Sequence, residues 1–261
     1  MLVDSHCHLD FPELAGNLDA VFELMRENDV ERALCVSVTL EDFPRVRELA
    51  QTHPQLCASV GVHPDYEGVA AVSVGELVAL AANPTIVAIG ETGLDYFRLK
   101  GDLEWQRERF RTHIRAAREC GKPLIIHTRE AADDTLRIMR EEGADRAGGV
   151  MHCFTESMAV AQAAMDMGFY ISFSGIVTFK NAKGIKEVAR QVPLEQLLVE
   201  TDSPYLAPAP YRGRTNQPGY VRHVAEEVAR LKDLAYERVC EQTTINFYRL
   251  FKSVRRISNV N

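Results

Sequence analysis

Histidines and carboxylates recur in this chain at the points where short apolar runs end. Near the N-terminus, the segment DSHCHLD places His6 and His8 two residues apart. Side chains of a β-strand alternate between its two faces, so these imidazoles point to one side while Cys7 points away. Two imidazoles on one side of a strand end can bind a single metal ion. Residues of these types also follow five later apolar runs: His63, Glu91, His127, His152 and Asp202.

The carboxylate of Glu91 is a strong indication of a metal. Glu91 closes the apolar run IVAIG, and a carboxylate is costly to bury there unless it is paired or bound to a metal. The alternatives are a helix N-cap or an ion pair with Arg98 or Lys100. A carboxylate can also bridge two ions about 3.5–4 Å apart, as in two-metal hydrolases. His127 and His152, which follow neighbouring strands, suit the second ion.

Three further residues are predicted to act at the same place. Asp202 follows LLVET and is predicted to bind metal or to act as the base for a metal-activated water; the alternative is a cap for the turn at Ser203-Pro204. Glu200 shares a strand face with Asp202 and is predicted to orient Asp202 or a ligand histidine. His63 is predicted to contact the substrate or to orient a residue of the site; the alternative is a purely structural role.

Cations near the strand ends could hold a phosphate. Arg129 follows IIHT and can bind a phosphate oxygen; the alternative is a salt bridge with Asp133 or Asp134. Lys180 and Arg212 lie in loops after the last two predicted strands and could contact a phosphate backbone, although solvated surface charge is the alternative for each. Three histidines in helix-like segments are predicted to lie on the surface: His53, His113 and His223.

The composition narrows the class of protein. The chain has 261 residues, 46% of them hydrophobic, which suits a globular protein with a sizeable core. A net charge of -7 argues against the broad basic surface of a non-specific duplex binder and favours a short or single-stranded end. Six cysteines without a CxxC pair indicate a reducing compartment. No signal peptide is visible and no apolar run reaches about 18 residues, so the predicted location is the cytoplasm.

The elements that position these residues are predicted to be eight strands. Most are continuous Val/Ile/Leu runs, typical of parallel strands covered by helices on both faces. The predicted strands are Leu2–His6, Arg32–Val38, Cys57–Val62, Ile86–Glu91, Pro123–His127, Gly149–His152, Phe169–Phe173 and Leu197–Glu200. The predicted helices are Asn17–Asn28, Asp102–Cys120, Glu130–Glu142, Glu156–Met167, one opened by Pro218, and Leu234–Phe251.

Strand–helix alternation repeated eight times predicts an α/β fold, a (β/α)8 TIM barrel, as one domain over residues 1–261. The competing fold is an open doubly wound sheet. Against it, no GxGxxG follows the first strand, and the candidate site residues follow six strands rather than one switch point. In a barrel these strand ends meet at the C-terminal rim, where a metal site is expected.

Several segments of the chain together resemble one family, the TatD-family metal-dependent deoxyribonucleases of the amidohydrolase-like superfamily. The segments are DSHCHLD, GVHP, GETGLDY, KPLIIHTRE, MHCFTES, GFYISFSGIVTFKNA and LLVETDSPYLAP. The resemblance runs from Val3 through Pro218, with a similar ending near TTINFYRLF. It implies a distorted (β/α)8 barrel and phosphodiester hydrolysis with divalent metals, often as a 3′→5′ exonuclease.

By position, the resemblance also implies the ligands. One metal is placed on His6, His8, Glu91 and Asp202, and the other on Glu91, His127 and His152. Two divalent ions are thus the implied cofactor; imidazole with carboxylate suits Zn, Mn, Fe, Co or Ni, and Mg is a further possibility. The implied partner is DNA, through single-stranded ends, with neither a membrane nor an obligate protein partner.

The implied mechanism gives the residues separate roles. Asp202 takes or holds the proton of the attacking water, Glu91 fixes the metal spacing, and His63 and Arg129 position the phosphate. Two rival functions use nearly the same residues. One is hydrolysis of an amide, lactone or aminoacyl ester, and the other is metal or nucleic-acid binding without catalysis.

Overall fold

Eight parallel strands form one sheet in the computed structural model, which describes residues 1–254. Neighbouring strands pair in sequence order from first to last. The strands are β1 Leu2–Cys7, β2 Val30–Cys35, β3 Leu56–Val60, β4 Ile86–Asp95, β5 Leu124–Arg129, β6 Gly149–Met151, β7 Phe169–Phe173 and β8 Leu197–Val199. The prediction of one domain over residues 1–261 extends beyond the described residues.

The ends of the first and last strands also meet. Cys7 and Ser203 form a parallel bridge, and the backbone N–H of His8 donates to the Ser203 carbonyl over 2.8 Å. The backbone N–H of Asp202 donates to the His6 carbonyl over 2.9 Å. These bonds join β8 to β1 around the sheet. The predicted (β/α)8 barrel is therefore confirmed, and the open doubly wound sheet is wrong.

Helical segments follow the strands. They are α1 Pro12–Ala15, α2 Leu18–Glu27, α3 Phe43–Thr52, α4 Val74–Ala81, α5 Glu104–Cys120, α6 Ala132–Glu141, α7 Met158–Asp166, α8 Lys183–Gln191, α9 Val221–Lys232 and α10 Tyr236–Leu250. Short 3-10 turns occur at Ala144–Arg146, Gly175–Thr178, Leu194–Gln196 and Pro218–Tyr220. Over residues 1–254, no helix has both the length and the apolar character that crossing a membrane requires.

The fourth strand runs four residues further than predicted. Its GETGLD segment keeps pairing with β5, with Gly93 opposite His127 and Asp95 opposite Arg129. Gly93 has φ +133°, and a side chain there would lie 2.0 Å from the carbonyl oxygen of His127. Glycine thus allows β4 and β5 to continue pairing beyond the end of the apolar run. The extension carries the polar residues of β4 to the rim of the barrel.

The predicted apolar face of α5 packs against the barrel. Phe110, Ile114 and Ala117 are all fully buried, and the helix ends at Gly121 in the left-handed conformation. Burying one large apolar side chain contributes roughly 1.5–3 kcal/mol. His113 lies on this same helix and is also fully buried, so its predicted place on the surface is wrong. The reason is a pair of hydrogen bonds that satisfies both ring nitrogens, described below.

Candidate metal centre

The strand ends bring the predicted ligands to one mouth of the barrel. Their donor atoms form three overlapping groups, each within 4.8 Å: His6, His8 and Glu91; His6, His152 and Asp202; His63, Glu91 and His127. Most of these side chains are buried, and Asp202 and His127 are partly exposed. A mixed set of imidazole and carboxylate donors with this spacing is suited to transition-metal ions.

The first side of Glu91 faces the histidines of β1. Glu91 Oε2 lies 3.3 Å from His6 Nε2 and 3.8 Å from His8 Nε2. Asp202 Oδ1 completes this side at 3.7 Å from His6 Nε2 and 3.5 Å from His8 Nε2. Residues separated by about 195 positions in sequence thus meet because β8 closes on β1.

The second side of Glu91 faces three other histidines. Glu91 Oε1 lies 2.7 Å from His152 Nε2, 3.2 Å from His63 Nε2 and 3.3 Å from His127 Nδ1. The two oxygens of one carboxylate therefore face two separate sets of donors. His63 lies as close to Glu91 as the predicted ligand His127 does. The structure places it within the cluster, where it could bind a metal or donate a proton.

Partners behind the site orient three of the imidazoles. His8 Nδ1 donates to the Val36 carbonyl over 3.0 Å, and His127 Nε2 to Asp95 Oδ2 over 3.1 Å. His152 Nδ1 lies 3.3 Å from Glu200 Oε1. An ionised carboxylate or a carbonyl only accepts, so each ring carries its proton on the outer nitrogen. In the neutral form of each ring, which is the form that binds a metal, the other nitrogen presents a lone pair to the centre.

Closely spaced nitrogen and oxygen atoms at the centre of the cluster fit a cation. His8 Nε2 lies 3.2 Å from His6 Nε2. His152 Nε2 lies 2.7 Å from Glu91 Oε1 but has no hydrogen-bond partner among the described residues, because the contact is poorly directed. When the imidazoles are neutral, these atoms carry lone pairs that repel each other at such distances, so either a proton or a metal ion is needed between them. A divalent ion among them would turn the repulsion into coordination.

The electrostatics of the cluster favour ionised carboxylates. Burial raises the pKa of Glu91, but His152, His63 and His6 outweigh it and hold that pKa well below its usual range. Burial lowers the pKa of His8, but Asp202 and Glu91 outweigh it and raise that pKa to about 9. The carboxylates are therefore charged at neutral pH and available to a metal ion.

Asp95 is a residue of the site that the sequence reasoning missed. It is fully buried at the end of β4 and accepts hydrogen bonds from the backbone N–H groups of Phe97 and Arg98, both over 2.9 Å. Its other oxygen, Oδ2, accepts the hydrogen bond from His127 Nε2 described above. The signal was present in GETGLDY: residues 91, 93 and 95 alternate along a strand, so Asp95 shares a face with Glu91 once β4 is extended.

Glu200 takes the role predicted for it. Its Oε1 accepts from the backbone N–H of Cys153 over 2.8 Å and lies beside His152 Nδ1. Glu200 therefore orients the predicted ligand His152 rather than Asp202. Its Oε2 atom is buried without a hydrogen-bond partner among residues 1–254.

One face of α5 fixes the loop that carries His63. His113 Nε2 accepts from the backbone N–H of Val62 over 3.0 Å, while its Nδ1 donates to the Arg109 carbonyl over 2.8 Å. Seven residues earlier on this face, buried Gln106 donates to the Pro64 carbonyl over 3.0 Å. These bonds explain why a histidine and a glutamine are buried in an otherwise apolar helix face.

A cavity of about 500 Å³ opens above the donor groups. Arg129 lines it, with its guanidinium stacked 3.8 Å from the centre of the Phe97 ring rather than paired with an aspartate. Lys180 and Arg212 are exposed and are not among the residues that line it; the Arg212 guanidinium lies on Phe179 instead.

The two cations predicted as alternative ion-pair partners of Glu91 pair with other carboxylates instead. Arg98 lines the cavity but pairs with Asp65, which also pairs with His63. Lys100 lies 3.6 Å from Glu130. The ion-pair alternative for Glu91 is therefore wrong, and its carboxylate faces imidazoles on both sides.

Known proteins resemble this chain over nearly its full length. Residues 3–252 match the family model described as TatD related DNase. The chain is 49% identical over 253 residues to the uncharacterized metal-dependent hydrolase YcfH of Escherichia coli strain K12, covering 96% of this chain and 95% of that protein. It is 42% identical to the uncharacterized metal-dependent hydrolase YabD of Bacillus subtilis, covering 97% and 99% of the two chains.

A solved structure supports the same assignment. The crystal structure of YjjV, a TatD homologue from Escherichia coli, superposes with a TM-score of 0.89 at 30% identity. The match covers 96% of this chain and 98% of that one. With the family model matching nearly the whole chain, this protein belongs to the TatD family and is a metal-dependent hydrolase.

Proposed function

We propose that this protein hydrolyses phosphodiester bonds at single-stranded DNA ends with two divalent metal ions. The observation that carries the proposal is the division of donors around Glu91. Oε2 faces His6 and His8, whereas Oε1 faces His127 and His152. A carboxylate with separate donors on each oxygen is suited to bridging two ions.

In this proposal the first metal would be held by His6, His8, Asp202 and Glu91, and the second by Glu91, His127 and His152. When bound, such a pair lowers the pKa of a coordinated water and stabilises charge on both the attacking and the leaving oxygens. The donor set supports Zn, Mn, Fe, Co or Ni, with Mg among the ions to be tested. The cytoplasm remains the predicted location, and no obligate protein partner is proposed.

The chain's own residues supply proton transfer and binding. Asp202 is proposed to accept the proton of the attacking water, because its side chain lines the cavity and is partly exposed. His63 Nε2 is proposed to hold a proton toward the phosphate. Burial lowers the pKa of His63, but Glu91 and Asp65 outweigh it and raise that pKa to about 9. Arg129 is proposed to bind a phosphate oxygen from the opposite wall.

The experiment compares metal-loaded wild type with Asp202→Asn and His127→Ala on end-labelled single-stranded DNA. Losing a group that acts on the reacting atoms should lower kcat at least about 100-fold. Asp145→Asn and His223→Ala change the same residue types outside the cavity and should keep the wild-type rate. Full nuclease activity of either site variant would contradict the proposal.

The same preparations separate the rival functions. A panel of lactones, amides and aminoacyl esters is measured beside the DNA substrate. A higher kcat/KM on one of those classes would replace the proposed substrate while leaving the metal centre in place. Tight binding of DNA without turnover in the metal-loaded protein would favour a binding role.

A further inference from the structure

Exposed aromatic rings stand at the mouth of the cavity. Among residues 1–254, four large hydrophobic side chains are exposed: Met1, Phe97, Tyr205 and Leu234. Tyr205 is 52% exposed and lines the cavity; Phe97 is 49% exposed and supports Arg129, which also lines it. Solvent-exposed aromatic rings beside a polar site indicate a ligand-binding surface.

The backbone beneath Tyr205 is well held. Its N–H donates to the Asp202 carbonyl over 3.0 Å, and its carbonyl accepts from Asn216 Nδ2 over 2.6 Å. Asn216 is fully buried and also donates to the Thr201 carbonyl over 2.9 Å. The ring is thus presented from a fixed segment, which lowers the entropic cost of binding a ligand on it.

Aromatic contacts lead from Tyr205 to the metal centre, and the charged side chains of Asp65 and Arg98 also lie near this ring. The Tyr205 ring contacts Phe11 edge-to-face at 6.0 Å, and Phe11 stacks on the ligand His8 at 4.8 Å. Ile176 and Leu206 line the same part of the cavity. Arg129 comes from β5, which lies half-way round the barrel from the β8–β1 junction. The cavity therefore offers apolar side chains beside Tyr205 and a cation, Arg129, from the far side of the rim.

We propose that Tyr205 is the stacking platform for the nucleobase next to the scissile phosphate, an inference that rests on the proposed function. A base is joined to its phosphate through one sugar, so a phosphate at the metal centre brings a base to the adjacent apolar wall. Every base offers a π face to an aromatic ring. In a duplex that face is covered by neighbouring pairs, so the platform selects an unpaired end.

The experiment uses two substrates, thymidylyl-thymidine and its analogue with tetrahydrofuran in place of both bases. Wild type should hydrolyse the base-bearing dinucleotide with a kcat/KM roughly 10-fold higher, the order of effect of one base stack. Tyr205→Ala should remove this preference through KM and leave the abasic substrate unchanged. Tyr205→Phe should keep it, because the ring remains. Leu234→Ala, an exposed apolar residue away from the cavity, should match wild type.

Arg129→Ala separates base binding from phosphate binding, since it should slow both substrates by the same factor. If Tyr205→Ala slowed both substrates equally, or kept the preference for bases, the platform would be refuted while the proposed function stood. If wild type hydrolysed neither dinucleotide nor single-stranded DNA, the proposed function and the platform would both be overturned.

Discussion

Replacing Asp95 by asparagine should weaken one metal position without removing a ligand. Asp95 Oδ1 accepts the backbone N–H groups of Phe97 and Arg98, whereas Oδ2 accepts from His127 Nε2 over 3.1 Å. An asparagine that keeps both backbone bonds must place its carbonyl at the Oδ1 position, so its NH2 group faces His127. An amide NH2 only donates, and His127 Nε2 must then accept. The ring proton moves to Nδ1.

His127 Nδ1 is the atom that lies 3.3 Å from Glu91 Oε1, where we propose the second metal. A proton there competes with the ion. Burial raises the pKa of Asp95, but hydrogen bonds from His127 and from the Arg98 backbone outweigh it and lower that pKa to about 2, so the native carboxylate is charged at neutral pH. Losing an outer partner of this kind costs about 10–100-fold in metal affinity, or ~1.4–2.7 kcal/mol.

Calorimetric titration of the chelator-treated protein with Mn²⁺ or Zn²⁺ measures the effect. We expect one of two binding steps to weaken in Asp95→Asn and the other to keep its wild-type affinity, because the Oε2 side of Glu91 does not contact Asp95. Asp145→Asn, at an exposed position, is the matched control. The thermal midpoint in chelator should change little, since both backbone bonds remain. Two wild-type affinities together with a wild-type hydrolysis rate would refute the tautomer argument.

Three other perturbations have distinct expected outcomes. Glu200→Gln should lower the metal affinity less than 10-fold, because Cys153 N–H and His152 Nδ1 both donate to Oε1, which an amide carbonyl can replace. A loss of affinity as large as that of Asp95→Asn would contradict this reasoning. Burial lowers the pKa of His113 to about 4, below an unfolded value near 6.5, so the unfolded chain binds more protons between these values. The free energy of unfolding should therefore fall by about 3 kcal/mol as pH drops through that window, and denaturant titrations of His113→Gln should lack this component. Chelation should lower the thermal midpoint, because an ion at 1,000 times its Kd stabilises the folded state by about 4 kcal/mol; equal midpoints with and without chelator would argue against bound metal.

The fold was predictable because the barrel strands are buried on both faces and read as continuous apolar runs. β7 begins and ends where predicted, at Phe169 and Phe173. The prediction missed the end of β4, because its last residues are polar and are kept in the sheet by pairing with β5. No helix was predicted over Lys183–Gln191, where only Val188 and Ala189 are buried and the apolar signal is short.

The clustering of the predicted ligands followed from the same topology, since parallel strands bring their C-terminal residues to one rim whatever the sequence distance between them. The outer partners depend on finer geometry. Asp95 and Glu200 both stand behind a histidine, yet Asp95 divides its bonds between two oxygens and Glu200 places both on one. No spacing rule distinguishes these arrangements, because each is set by where the neighbouring backbone N–H groups point. The two carboxylates therefore look equivalent in the sequence and should respond differently to the same carboxylate-to-amide change.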